Sequence, residues 1–325
     1  MTLNFENVYI NETATITGPY EAKGPLKNYF DYSYNDLYFN QKTWELAEIK
    51  SQKDAIEMLL SKSMTNRKQI KTIIGGDLLN QIVATNYMAK SYDTSLIGIY
   101  AACATSTLGL IISALLIENT NGKVITITSS HNNAAEKQFR YPVEYGGPKP
   151  KTSTFTSTGS AAALITNEKK GIKIESGTIG KVIDSNIKDV YHMGAVMAKA
   201  AAETIYNHLK DKKREIDYYD LVLTGDLGIY GKQILKTYIK EKYNITLDKY
   251  EDTGVLLYNL KKVGAGASGP ACAPLVTYSY IFKKMKNKEI TKVLLIATGA
   301  LMNQTLVNQK QTIPSVAHAV SLEAI

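Results

Sequence analysis

Leu96-Ile97-Gly98-Ile99-Tyr100-Ala101-Ala102-Cys103-Ala104-Thr105-Ser106-Thr107-Leu108-Gly109-Leu110-Ile111-Ile112 decides how the chain is read. A short apolar run passes through small residues around a cysteine into a mostly apolar segment, the pattern of a strand, a tight turn and a buried helix. Ala102-Cys103-Ala104 recurs as Ala271-Cys272-Ala273, 169 residues later. Lys123-Val124 and Lys292-Val293 each stand 20 residues beyond their cysteine and open Val124-Ile125-Thr126-Ile127-Thr128 and Val293-Leu294-Leu295-Ile296-Ala297, which read as buried strands. Upstream, each half offers a helix and then a strand ending in Gly-Asp-Leu. The first helix is expected over about 44–63, before 71–74 and Gly76-Asp77-Leu78. The second is expected over about 189–210, with Met193, Val196, Met197, Ala200, Ala201 and Ile205 on one face, before Leu221-Val222-Leu223 and Gly225-Asp226-Leu227. The second half carries about 20 extra residues, most of them within 242–261. Helices alternating with short apolar strands predict parallel sheets covered on both faces. The chain therefore reads as α/β, two similar halves dividing near residue 168: 1–168, containing Cys103, and 169–325.

Composition bounds the rest. The 325 residues, 44% hydrophobic and 21% charged, are ordinary for a globular chain and exclude disorder or a collagen-like repeat. Two cysteines build neither a disulfide framework nor a cysteine-rich zinc site. The net charge is +8, and only Arg67, Arg140 and Arg214 among the basic residues are arginine. The lysines are dispersed without a basic block interleaved with aromatics, which predicts a solvated surface and no nucleic-acid site. Met1-Thr2-Leu3-Asn4-Phe5-Glu6 lacks the basic and apolar regions of a secretory signal, and Leu108 to Ile117 is about half the ~20 residues of a membrane span. A soluble chain is expected.

A thiol at a helix start points at free backbone N–H groups and the positive end of the helix, a setting that lowers its pKa and suits anions; the competing reading is a buried structural cysteine. The stretch from His131 to Gly159, rich in Pro, Gly, Ser and Thr, reads as a long functional loop. Of four histidines, His131 alone stands at a strand end within it. His192 and His208 are expected on the second-half helix as partly exposed or capping residues, and His318 in a tail after the last apolar strand. Gly264-Ala265-Gly266-Ala267-Ser268-Gly269 fits a dinucleotide fingerprint, but the strand that follows ends Ala297-Thr298-Gly299-Ala300 without the carboxylate such a site requires. No cofactor is expected.

The duplicated chain, with Cys103 at the first-half helix start and Gly266-Ala267-Ser268-Gly269 in the second half, resembles the thiolase and ketoacyl-synthase superfamily. Ser129-Ser130-His131-Asn132, Gln138-Phe139-Arg140-Tyr141-Pro142, Glu144-Tyr145-Gly146-Gly147, Thr158-Gly159 and Thr224-Gly225-Asp226-Leu227-Gly228 resemble, more specifically, the stage V sporulation protein AD family. The resemblance implies a thiolase-like fold in αβαβα layers. It also implies binding of pyridine-2,6-dicarboxylate (dipicolinate), alone or as its calcium chelate, during its movement into and out of spores, without enzymatic turnover. The implied partners are the other stage V sporulation A membrane proteins and a second copy of the chain. The implied location is the forespore or spore, peripheral to its inner membrane. Thiolases carry His-Pro just before the glycine motif, where this chain has Val263-Gly264, and synthases carry a histidine where it has Gly225-Asp226. The alternative is an acyl-CoA thiolase or ketoacyl-synthase-type acyltransferase with Cys103 acylated.

A flat diacid calls for a cation, amide donors and an apolar or aromatic wall. Arg140 offers a planar fork for a carboxylate, and it has the local alternative of pairing with Glu136 or Glu144. The expected ligand-binding residues are Cys103, His131, Asn132, Arg140, Tyr141, Asp226 and Ser268, with no catalytic residue and no metal ligand. Asp226 suits an anion site only as a neutral acid, as ligand to a shared cation, or as a cap of the turn that follows.

Overall fold

The computed structural model describes residues 1–139 and 149–325. The first half contributes β1 (Tyr9–Thr17), α1 (Trp44–Ser63), β2 (Ile70–Gly76), α2 (Val83–Ala89), β3 (Ser95–Gly98), α3 (Thr105–Asn119), β4 (Lys123–Ser130), α4 (Asn132–Phe139) and β5 (Gly159–Thr166). The second contributes β6 (Ile172–Ile179), α5 (Met193–Lys212), β7 (Leu221–Thr224), α6 (Gly228–Tyr243), β8 (Tyr250–Asp252), α7 (Cys272–Val276), β9 (Lys292–Ala300) and β10 (Pro314–Ala324). Beyond α7 the chain continues helically through a π turn, Thr277–Ile281, and Phe282–Lys286.

The strand order is a palindrome, β8-β7-β9-β10-β6-β1-β5-β4-β2-β3. The halves join where β1 meets β6, Tyr9 opposite Lys173 and Ile10 opposite Ile172. Within each half the sheet is mixed rather than parallel. β4 and β9 run parallel to β2 and β7, but β5 and β10 return antiparallel beside them. A return strand of this kind needs no right-handed crossover helix, which reading helix–strand alternation alone does not reveal.

The three largest apolar clusters among the described residues mark the layers. Ile73, Ile125, Ile127 and Leu164 face α1 on one outside, and Leu294, Ile296, Ala317 and Ala319 face α5 and α6 on the other. Their strand neighbours Ile74, Val124, Ile165, Val293, Leu295 and Leu322 point inward onto α3 and α7. This period of two along every strand, apolar on both faces, stacks the elements as αβαβα. Ala102–Asn119 is apolar enough in composition to cross a membrane, but it is the helix held between the sheets.

Three further sequence expectations are corrected. His318 lies inside β10, not in a tail, and accepts from the Gly180 N–H at 3.2 Å; its segment, Ser315-Val316-Ala317-His318-Ala319-Val320, is small and alternating rather than a bulky apolar run. His208 is fully buried between the Thr178 hydroxyl at 2.7 Å and the Tyr219 hydroxyl at 2.6 Å, neither exposed nor capping. The stretch after His131 begins as a helix, α4, before its Pro- and Gly-rich part.

Glycines bring the two cysteine turns onto the sheets. A Cβ on Gly299 of β9 would stand 2.2 Å from the Ala101 carbonyl oxygen and 3.1 Å from the Ala104 nitrogen. Gly299→Ala is therefore expected to cost about 1–3 kcal/mol by overpacking and to alter the alkylation rate of Cys103. Urea unfolding and thiol titration check both, and an unchanged midpoint would contradict the contact.

Candidate functional site

The residues leading into α3 form a closed turn. The Ala104 N–H donates to the Ala101 carbonyl at 3.0 Å and the Thr105 N–H to the Ala102 carbonyl at 3.2 Å. The Thr105 hydroxyl accepts from the Ala101 N–H at 3.0 Å and donates to the Ala102 carbonyl at 2.6 Å. Ala102 sits at φ 48°, a left-handed conformation that costs an alanine roughly 1–2 kcal/mol; the hydroxyl clamp holds it there. The strained turn aims Cys103, half-buried, into a cavity of about 60 Å³.

That cavity draws on both halves. Leu78, Tyr100, Phe139, Met193, Met197 and Met302 make it mostly apolar, while Cys103, Glu136, Thr156 and Ser268 supply polar points. The Thr154 hydroxyl donates to Ser268 Oγ at 2.8 Å. Glu136, on α4 and 5% exposed, meets Lys149 Nζ at 2.9 Å. Gly269 holds φ 104°, and a Cβ there would press on Ser130 Oγ at 2.8 Å, so the chain passes Ser268 into the cavity only as Ser-Gly.

Of the expected site residues, Cys103 and Ser268 line this cavity. His131 and Asn132 do not. The His131 ring lies near-parallel to Trp44, its Nε2 donating to the Leu37 carbonyl at 2.7 Å, and burial lowers its pKa, so it stays neutral. The Asn132 N–H donates to Thr158 Oγ1 at 3.0 Å as α4 begins. Asp226 is buried behind the cavity wall rather than in it. Arg140 and Tyr141 lie outside the described residues. Sequence reasoning missed Glu136 and Phe139, although both follow Asn132 at helical spacing, Ala135 and Phe139 being four apart on the cavity face. The methionines gave no signal, because Met193 and Met197 read as core and Met302 comes from a separate loop.

Behind the wall is a buried acidic pair. Asp252 accepts from Thr224 Oγ1 at 2.7 Å, from the Leu227 N–H at 3.2 Å and from the Gly228 N–H at 2.9 Å. Among the described residues Asp226, at φ 72°, finds no hydrogen-bond partner for either carboxylate oxygen, the Cys272 thiol and the Gly269 amide approaching without reaching hydrogen-bond geometry. Burial first, and then the charge of Asp252, push its pKa well above the ordinary carboxyl value, and burial pushes Asp252 up to about 6. Burial and Asp226 also push the Cys272 thiol up. Among the described residues no group of three or more His, Cys, Asp or Glu side chains is placed to hold a metal ion.

The architecture and its paired cysteine turns define a thiolase-like fold. The fold is similar to that of 3-oxoacyl-[acyl-carrier-protein] synthase III from Aquifex aeolicus VF5, with 13% identity, 99% of each chain covered and a TM-score of 0.55. It is likewise similar to cerulenin-bound OleA from Xanthomonas campestris, with 12% identity, 99% and 100% covered and a TM-score of 0.63. Residues 1–323 match the family described as Stage V sporulation protein AD, and the chain is 43% identical over 318 residues to Stage V sporulation protein AD of Bacillus subtilis (strain 168), covering 97% of this chain and 94% of that one. The chain belongs to the stage V sporulation protein AD family. It is a sporulation protein, and its place is in the forespore or spore.

The acidic pair makes stability pH-dependent. Both folded-state pKa values are raised, so from about pH 4 upward the unfolded chain sheds protons that the folded chain keeps, and stability falls. The Asp252 part of that loss ends near pH 6, where the folded carboxyl also ionises, and the Asp226 part lasts until that carboxyl itself ionises. Between pH 4 and pH 8, Asp226→Asn is expected to match the parent at the acid end and to exceed it increasingly until Asp226 itself ionises, by up to about 1.4 kcal/mol per pH unit. Urea midpoints across that range check this; parallel curves would contradict a neutral Asp226.

Proposed function

We propose that the chain binds dipicolinate in the Cys103 cavity without turning it over, and that it serves the passage of this diacid into and out of the spore. The observation that carries the reading is a thiol aimed into an apolar cavity while all four imidazoles are engaged or placed elsewhere. His131 bonds Leu37, His208 bonds Thr178 and Tyr219, His318 bonds Gly180, and His192, at the N-cap position of α5 without a side-chain cap bond, packs its ring against Tyr230 outside the cavity lining. Carbon–carbon bond formation at a cysteine needs a base and a second acid/base group, and the cavity walls offer none of these imidazoles.

The walls suit a flat ring. Phe139 and Tyr100 present aromatic faces, and the three methionines are unbranched side chains that adjust around an inserted plate. The Cys103 turn and Ser268 provide polar contacts for one carboxylate. Arg140, the next residue in sequence after Phe139, is assigned the other carboxylate, and Tyr141 is assigned the ring. Asn132 and His131 support the α4 end of the site from behind, and neutral Asp226 adds no charge repelling an anion. The dicarboxylate binds alone or as its calcium chelate, and paired titrations with and without calcium separate the two. The partners in this reading are membrane proteins of the same sporulation complex, which hold the chain at the inner membrane, and a second copy met along the β3 edge, where the strand order ends.

Calorimetric titration with dipicolinate is expected to saturate. Arg140→Ala should weaken it roughly 10–100-fold, the worth of a charged hydrogen bond, and Cys103→Trp should abolish it by filling the cavity. Release of free thiol from an acyl-CoA with a thioester on Cys103 would overturn the reading in favour of an acyltransferase.

A further inference from the structure

The two-stranded ribbon Phe155–Thr156 and Ala267–Ser268 has a different site on each side. Thr156 and Ser268 face the Cys103 cavity, whereas Thr154 and Phe155 face an open groove of about 470 Å³. Lys149, Lys151, Lys261 and Lys262 line that groove, with Phe155 and Tyr230 as aromatic walls. Lys151, Lys261 and Lys262 are exposed, and the described residues give them no carboxylate within ion-pair distance. Its walls are tied together by the Phe155 N–H to the Gly266 carbonyl at 2.7 Å and the Ala265 N–H to the Ser153 carbonyl at 3.2 Å. Cations held this close on fixed backbone repel one another and concentrate anions. The aromatic walls add apolar contact for a ring.

Among the described residues, the Lys149–Glu136 ion pair links the two sites. Lys149 Nζ lies 5.9 Å from the centre of the Phe155 ring on the groove side and 2.9 Å from a Glu136 carboxylate oxygen on the cavity side. A carboxylate arriving in the groove competes with Glu136 for Lys149.

We propose that this groove is a second anion site, taking flat aromatic dicarboxylates and handing them past the Lys149–Glu136 pair to the Cys103 cavity. The assignment rests on the dipicolinate reading of that cavity. The groove's own affinity is weak and salt-sensitive, because its contacts are exposed lysines.

The test is dipicolinate titration, in low and in high salt, of the parent chain, the Lys261→Glu/Lys262→Glu variant and Cys103→Trp, with stopped-flow association rates and circular dichroism to confirm folding. Met197→Trp replaces Cys103→Trp if the latter does not fold. The parent is expected to bind two equivalents, one of them lost in high salt. The lysine variant should keep one equivalent and fill it about 10-fold more slowly; Cys103→Trp should keep only the salt-sensitive one. A lysine variant with the parent's stoichiometry and rate overturns the groove. One parental equivalent that vanishes in Cys103→Trp overturns the groove and leaves the cavity reading standing. Binding untouched by Cys103→Trp but lost in the lysine variant does the reverse, and a parent chain that does not bind overturns both.

Discussion

The missing side chain of Gly299 is the constraint on which the site depends. The Ala101 carbonyl occupies the space a Cβ would need, so the turn that carries Cys103 rests directly on β9 of the opposite half. Gly76 does the same from its own half, a Cβ there standing 2.0 Å from the Ile99 carbonyl oxygen and 2.9 Å from the Thr105 methyl. Pressed between two sheets, the turn sustains the left-handed Ala102 that aims the thiol outward. The cavity is consequently a product of both halves: Leu78, Tyr100 and Cys103 come from one, and Met193, Met197, Ser268 and Met302 from the other. A single half would present the thiol to solvent.

Much of this arrangement was readable before any coordinates. The recurrence of Ala-Cys-Ala and Gly-Asp-Leu in the same order marked the duplication, because each repeat sits at a strand end where only small residues or a capping carboxylate fit. Helix α1 ran from Trp44 to Ser63 as its pattern required, capped by Thr43 and stopped by left-handed Met64. Less legible were features decided by partners distant in sequence. Nothing local in Ser315-Val316-Ala317-His318 says that β9 and β6 will flank it as a core strand. The cavity walls were legible at Cys103 and Ser268, which lie in motifs, and illegible at Met193, Met197 and Met302, whose residue type fits any core. His131 looked like a site residue because strand ends usually face a cleft; Leu37 and Trp44, far away in sequence, turn its ring aside.

The repeated Gly-Asp-Leu motif shows how duplicated halves part company. In the first half Asp77 does the capping itself, accepting from the Leu79 N–H at 2.9 Å, the Thr85 N–H at 2.8 Å and the Thr85 hydroxyl at 2.7 Å. In the second half Asp252, from the neighbouring strand β8, accepts from Thr224, Leu227 and Gly228 instead. Asp226 is thereby left without a task and, fully buried beside a second carboxyl, keeps its proton. An acid in this state costs less than an unpaired charge but more than an apolar residue. Its ionisation penalty is therefore the price of a cap supplied from elsewhere.

The same divergence separates the cysteines. Both stand at the start of helices of the central layer, Cys103 two residues before α3 and Cys272 as the first residue of α7, and both turns rest on glycine, Cys103 with Gly76 and Gly299 beneath its turn, and Cys272 with Gly225 against Ala273. Cys103 remains half-buried at a cavity, whereas Cys272 is fully buried with Thr253 Oγ1 at 3.6 Å and the acidic pair close by. Burial and carboxyl groups both oppose a thiolate, so Cys272 is held as a neutral thiol. Pro274 reinforces this by fitting the first turn of α7, where its missing N–H costs no helical hydrogen bond. Two topologically equivalent thiols thus end as one packed core atom and one accessible atom. The accessible one looks onto methionine and aromatic side chains contributed by both halves.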